Sequence, residues 1–220
     1  MLSCNGINDP FGNVFGMVAD SLKILSTTLD GTEFEFDGKE YFIRLLGLYQ
    51  PANAATVLAA IDVLRKHGFE ISETAVKDGL SSAVWQARFE KIADEPVVLY
   101  DGGHNPQGVR AAVESVRAYF GDKKINLLVG ILADKAHGEM AEELAKIADR
   151  VICIAPPSPR ALPAEALAEE FCEAGANARA ANSIKEGVKI ALSYKKPVLV
   201  IGSLYSYNDV SESVRNTLKG

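Results

Sequence analysis

The feature that most constrains this chain is a set of four short, almost wholly apolar runs. They are VVLYD (97–101), INLLVGIL (125–132), VICIA (151–155) and PVLVIGS (197–203). Each is too short for a buried helix and none alternates apolar with polar, so each reads as a strand covered on both faces. Helical spacing fills the intervals, at about 107–119, 138–148, 163–174 and 183–193, with a last helix near 208–218. NARAA (177–181) adds a short strand. Strand and helix in strict alternation predict a Rossmann-like α/β domain, with a doubly wound, mostly parallel sheet and right-handed crossovers.

The first part of the chain has another rhythm. SLKILSTTLDGTEFEFDGKEYFIRLL places Asp30-Gly31 and Asp37-Gly38 between β-branched and aromatic runs, a strong hairpin signal. A meander is expected near 24–28, 32–36 and 40–45. Beyond Pro51, Ala55, Leu58, Ala59 and Val63 follow helical spacing to a cap at Gly68, and a second helix runs from Ser72, its N-cap, to Leu80. Periodicity lapses over SSAVWQARFEKIADEP (81–96), which divides the chain into domains 1–84 and 85–220. Residues 1–23 fit no pattern. Trp85 is expected in the core, and Cys4, Cys153 and Cys172 as inert, packed thiols.

Composition narrows the function. The 220 residues are 48% hydrophobic and 24% charged, ordinary for a globular protein. No apolar run approaches the ~18–20 residues of a membrane helix. The opening MLSCNGINDP has neither the basic nor the apolar region of a secretory signal. Twenty-three basic against 29 acidic side chains leave a net charge of −6, which argues against nucleic acid as a partner. Three cysteines make neither a metal spacing nor a complete disulfide set, so a reducing, cytoplasmic setting is expected and no metal site is assigned. The chain has no G-x-x-x-x-G-K-[ST] phosphate loop, no G-x-G-x-x-G, no G-x-S-x-G and no H-E-x-x-H.

Ligands of open α/β sheets collect outside the carboxyl ends of the strands. Three segments lie there. Asp101-Gly102-Gly103-His104-Asn105-Pro106 ends a strand and opens a helix, with Asn105 and Pro106 as N-cap and N1. Its carboxylate suits ribose hydroxyls and its imidazole an anion, although Asp101 and Asn105 equally suit a turn that merely caps itself. In Gly130-Ile131-Leu132-Ala133-Asp134-Lys135, Lys135 suits a carboxylate or phosphate, or is half of a solvated Asp-Lys turn. In Gly202-Ser203-Leu204-Tyr205, Ser203 could donate to a carboxylate or satisfy local backbone. His67 reads as a helix-end cation, and His137 opens a helix with no partner pattern.

LLGLYQPANAATVLAAI (45–61), WQARFE (85–90), DGGHNPQGVRA (101–111), GILADK (130–135) and IGSLYSY (201–207) stand in the order found in folylpolyglutamate synthases. Over about residues 40–220 the chain resembles the carboxyl-terminal half of those enzymes and of the bifunctional dihydrofolate synthases, members of the Mur ligase superfamily. The resemblance implies the Mur ligase carboxyl-terminal domain, preceded by a strand-plus-helix remnant of a central ATPase domain. It implies an ATP- and magnesium-dependent ligase that joins L-glutamate to a folate or dihydropteroate carboxylate through an acyl phosphate. By motif, Asn53 would contact adenine, Arg88 the nucleotide phosphates and Asp101 the ribose. His104 and Ser203 would place glutamate, with Lys135 near the phosphates. The family usually carries His-Gln at Tyr49-Gln50, Trp-Pro-Gly-Arg at Trp85-Gln86-Ala87-Arg88, and alanine at Gly103. The phosphate loop, metal ligands and most of the pterin site belong to an amino-terminal ATPase domain not found in these residues. A part-enzyme, monomeric and inactive alone, is therefore expected. The alternatives are another Mur-type amino-acid ligase and a non-catalytic nucleotide- or glutamate-binding module.

Overall fold

The structure is a computed structural model that describes residues 21–219. They fall into two compact units, residues 21–44 with 49–83, and residues 45–48 with 84–219.

In the first unit, β1 (Leu22–Thr28), β2 (Gly31–Phe36) and β3 (Lys39–Ile43) form the antiparallel meander. Asp37 and Gly38 both have positive φ, at 49° and 74°, as a tight primed turn requires. Period-two alternation puts Phe34, Phe36, Tyr41 and Ile43 on one buried face. Helices α1 (Gln50–Lys66) and α2 (Glu73–Ser82) pack on this sheet. Helix α1 starts on its N-terminal proline and stops where Gly68 takes a φ of 91°. Ser72 Oγ accepts the Ala75 N–H at 3.1 Å and caps α2.

Glu73 joins helix to sheet. The Tyr41 hydroxyl donates to it at 2.8 Å, and Lys39 and Arg65 each lie 3.4 Å away. The Tyr41 bond, helped by the two cations and opposed by desolvation, holds the Glu73 carboxyl below its usual 4.5. Burial and Glu73 push the Tyr41 phenol up to about 12. A depressed carboxylate stabilises fully above its unfolded pKa and loses that contribution as pH falls through the folded one. Urea midpoints of the first unit should therefore hold near neutrality and fall below about pH 4.5. Glu73→Gln should flatten that fall; an identical acid limb in the variant would remove Glu73 as its cause.

The second unit is built on a six-stranded sheet of order β4-β5-β9-β6-β7-β8. Its strands are β4 (Glu90–Asp94), β5 (Val97–Asp101), β6 (Ile125–Val129), β7 (Ala148–Cys153), β8 (Ala178–Ala180) and β9 (Val198–Ile201). All pairs are parallel except β4 with β5. The helices are α3 (Pro106–Phe120), α4 (His137–Ala145), α5 (Ala164–Glu173), α6 (Ile184–Ser193) and α7 (Tyr207–Lys219). Helices α3, α4 and α5 pack side by side, while α6 packs with α7. Val98, Tyr100, Leu128, Ile152, Val198 and Val200 meet Val188, Leu192, Val210 and Val214 in the core under α6 and α7. This is the mostly parallel, doubly wound sheet that the apolar runs predict. Residues 45–48 belong to this unit. Gly47 N–H donates to Tyr119 Oη at 2.9 Å and Leu48 N–H to Ser115 Oγ at 3.1 Å.

Several expectations change. Strand β6 ends at Val129 rather than 132, because residues 131–133 turn away to bond with residues 160–162. The aperiodic stretch before residue 97 contains β4, an edge strand whose Glu-Lys-Ile-Ala-Asp is half-exposed and bulged between Lys91 and Ala93. Trp85 is not core; it is 64% exposed. Cys153 is buried and burial pushes its thiol up to about 12, but Cys172 is exposed. Cys4 lies outside the described residues. His137 has a partner after all, with Nδ1 2.7 Å from Glu170 of α5. Among the described residues no helix is long and apolar enough to cross a membrane.

Candidate functional site

Strand β9 enters the sheet between β5 and β6, so the loops leaving those three strands are neighbours at their carboxyl ends. The return through α6 and the forward crossovers through α3 and α4 make this the switch point where open sheets bind ligands. The loops are joined backbone to backbone. Gly202 has φ +112°, and a Cβ there would lie 2.6 Å from Gly130 O. Tyr100 Oη donates to Ser203 O at 2.7 Å, and Leu204 lies over the space that a side chain on Gly102 would need.

Asp101 is 4% exposed, and backbone donors occupy both of its carboxylate oxygens. Phe89 N–H donates to Oδ2 at 2.9 Å and Gly103 N–H to Oδ1 at 2.8 Å. The residue thus holds its own turn and also ties it to the segment before β4. A ribose hydroxyl would have to share these oxygens with the two backbone donors. The alanine that the family carries at Gly103 would set its methyl 2.8 Å from Oδ1, so this carboxylate sits closer to the backbone than that methyl would permit. Asn105 Oδ1 accepts the Gly108 N–H at 2.8 Å and caps α3.

Arg88 is exposed on a segment held on both sides. Ala87 (φ 56°) and Phe89 (φ 49°) are buried in left-handed backbone. Such backbone costs a non-glycine residue about 1–2 kcal/mol. Two bonds set against that cost are Gly102 N–H to Ala87 O at 2.8 Å and Ala87 N–H to Glu90 Oε2 at 2.8 Å. The Tyr207 hydroxyl donates to the other Glu90 oxygen at 3.1 Å. The absence of the family's proline and glycine therefore leaves Arg88 clamped beside the Asp101 turn.

His104 is exposed. Its Nδ1 lies 2.9 Å from Gly102 O, a carbonyl that only accepts, so Nδ1 carries the proton and Nε2 is the acceptor. Ser203 is 4% exposed, and its Oγ accepts the Tyr205 N–H at 3.1 Å, which leaves its own hydrogen to donate. Lys135 Nζ lies 3.5 Å from Asp134 Oδ2. Thus Arg88, Asp101, His104, Lys135 and Ser203 all stand on strand-end loops of the second unit or on the segment bonded to one. Asn53 stands on α1 of the first unit, exposed, with its amide donating to Gln50 Oε1 at 3.1 Å. Two clefts of about 720 and 730 Å³ beside α6 and α7 are lined by none of these residues. Among the described residues no group of three His, Cys, Asp or Glu side chains could hold a metal ion.

Sequence reasoning passes over two residues that bond to this cluster. Glu90 sits in the stretch without periodicity, and Arg160 sits in the loop after β7. That loop follows a buried strand as the other three do, which was the available signal.

With this geometry in hand, residues 87–204 match the glutamate ligase domain of the Mur ligases. The chain belongs to that family. Within the Mur ligases it stands with the folylpolyglutamate and dihydrofolate synthases. It is 32% identical over 182 residues to a folylpolyglutamate synthase of Lacticaseibacillus casei, covering 81% of this chain and 40% of that one. A dihydrofolate synthase/folylpolyglutamate synthase of Escherichia coli is 31% identical over 172 residues, 77% of this chain and 39% of its own. A folylpolyglutamate synthase structure from Thermotoga maritima superposes with a TM-score of 0.75 at 27% identity, over 88% of this chain and 46% of that one. The chain thus spans less than half the length of these relatives.

Proposed function

We propose that this chain is the glutamate-ligating, carboxyl-terminal part of a folylpolyglutamate or dihydrofolate synthase. The observation that carries the reading is the meeting of three loops at the switch point, bearing His104, Lys135 and Ser203. In the reaction, the amine of glutamate attacks an activated folate carbonyl, a C–N bond forms and phosphate leaves. ATP supplies the activation, by phosphorylating the carboxylate. The chain's own groups serve the amino acid. Ser203 directs a hydroxyl hydrogen at a carboxylate. His104, its Nδ1 held by Gly102, offers Nε2 to the amine as an acceptor for its proton. Lys135 places positive charge nearby. Arg88 is the guanidinium available to a nucleotide phosphate. Asp101 suits the ribose only by sharing oxygens that backbone donors already hold. The described side chains do not fit a magnesium ion, so no step here runs through one.

Phosphoryl transfer depends on positioning and charge around the transferring group. The 220-residue chain alone, given ATP, magnesium, a reduced folate and labelled glutamate, should therefore form no glutamylated product. Joined in one polypeptide to the amino-terminal half of the Lacticaseibacillus casei relative, it should form product. Ligation by the chain alone would overturn the part-enzyme reading. A folded, inert chimera would overturn the glutamate-ligase reading.

A further inference from the structure

Arg88 sits between two buried residues in left-handed backbone, and its own side chain is exposed and bonded to no described residue. Where that side chain points is therefore set by the backbone on either side. Three polar groups of that backbone are engaged. Ala87 O accepts the Gly102 N–H at 2.8 Å, and Phe89 N–H donates to Asp101 Oδ2 at 2.9 Å, so two of them fasten the segment to the Asp101 turn. The third, Ala87 N–H, donates to Glu90 Oε2 at 2.8 Å.

Glu90 stands two residues from that guanidinium, yet neither of its oxygens is bonded to a cation. Oε2 holds Ala87, and Oε1 accepts the Tyr207 hydroxyl at 3.1 Å. Tyr207 is itself fixed. It opens α7, its N–H donates to Leu204 O at 3.2 Å, and its ring meets the buried Tyr100 ring edge-on with centroids 5.1 Å apart. Burial, and then the Glu90 carboxylate, raise the Tyr207 phenol above its ordinary range, so near neutrality the hydroxyl keeps its hydrogen for this bond. A carboxylate braced in this way is committed to backbone. The Cβ of alanine disfavours a φ of 56°, so without the Glu90 bond residue 87 would relax to negative φ and turn Arg88 with it.

We propose that Glu90, braced by Tyr207, is a positioning residue that acts through Ala87 to hold Arg88 where it can meet the phosphates of a nucleotide. The proposal rests on the reading of Arg88 given above. It assigns a task to an acidic side chain whose charge by itself would oppose an anion bound beside it.

The test is a calorimetric titration of the full chain with inorganic tripolyphosphate at fixed ionic strength. Arg88→Gln should weaken binding by about 10–100-fold, the range for losing a hydrogen bond to a charged group. Glu90→Gln should weaken it by about 3–10-fold, although the change removes a negative charge and by Coulomb's law alone would tighten it. Tyr207→Phe keeps the charge and should weaken binding by ~2–5-fold, which preserves the test if the Glu90 variant does not fold. In the Arg88→Gln background, Glu90→Gln should have no further effect. Ala87→Gly should restore part of what Glu90→Gln loses, because glycine takes left-handed backbone freely. Tightening or no change on Glu90→Gln, or equal weakening with and without Arg88, would overturn the proposal while leaving Arg88 in the nucleotide site. If the unaltered chain binds no tripolyphosphate, or Arg88→Gln changes nothing, the reading of Arg88 falls first and the proposal with it.

Discussion

Replacing Asp101 by alanine is expected to destabilise the second unit by roughly 3–6 kcal/mol. Two buried N–H groups, of Phe89 and Gly103, lose a charged acceptor, and each such bond is worth ~1.5–3 kcal/mol. Water does not replace it, because Phe89 is wholly buried and Asp101 itself is 4% exposed. Asp101→Asn keeps the shape and one accepting oxygen, so it should cost about half as much. Urea denaturation followed by near-ultraviolet circular dichroism reads both, with an unchanged m-value as the check on two-state behaviour. An alanine variant within ~1 kcal/mol of the parent would show that the turn is held by something else. Nucleotide affinity measured on the folded Asp101→Asn protein then separates the residue's structural duty from any contact with ribose.

Gly202→Ala should be comparably damaging, by about 2–6 kcal/mol, from backbone strain and close contacts together. The φ of +112° is one that a side chain makes costly, about 1–3 kcal/mol. The new methyl would stand 2.6 Å from Gly130 O and 2.9 Å from Ile131 Cγ1, and overpacking of that kind costs a further ~1–3 kcal/mol. Both neighbours belong to the loop that leads to Lys135, so whatever strain is not lost as stability appears as a shift of that loop from Ser203. Gly130→Ala is the control. Its methyl would meet Ile154 and Pro156 at 3.1 Å and its backbone is not left-handed, so its cost should be the smaller. Thermal melts of the two variants rank them; a milder Gly202 variant would mean that β6 and β9 can separate without loss.

The two substitutions act on one arrangement, the joining of loops from β5, β6 and β9. Asp101 ties its loop to the segment carrying Arg88, and Gly202 lets two loops meet where no side chain fits. Loops joined this way are held to one another by the fold itself, as the proposed glutamate site would need in order to set an amine against a carbonyl.

How much of this was legible beforehand follows from where each signal resides. VVLYD announced β5 from Val97 to Asp101 because a strand buried on both faces has no polar position to confuse its ends. Asp37-Gly38 announced its turn because the backbone there needs two positive φ values. Ser72 and Asn105 cap helices within three residues of themselves, a range a sequence displays directly. Strand β4 was invisible because an edge strand is paired on one side only, and its Glu-Lys-Ile-Ala-Asp forms neither an apolar run nor an alternation. Trp85 looked like core because size and hydrophobicity favour burial, yet whether a neighbour exists to cover it is a tertiary matter. His137 and Glu170 are 33 residues apart, and Arg160 and Tyr205 are 45. The sequence by itself determined the layers, the alternation of strand and helix, and which loops would lie at the carboxyl ends of the strands, since each depends on periodicity within a few turns. Only the tertiary structure decided that β9 lies between β5 and β6, that Asp101 spends its carboxylate on backbone, and that Arg160 reaches Asp134 and Tyr205. Those outcomes depend on strand order and on pairing between distant segments, which no local pattern encodes.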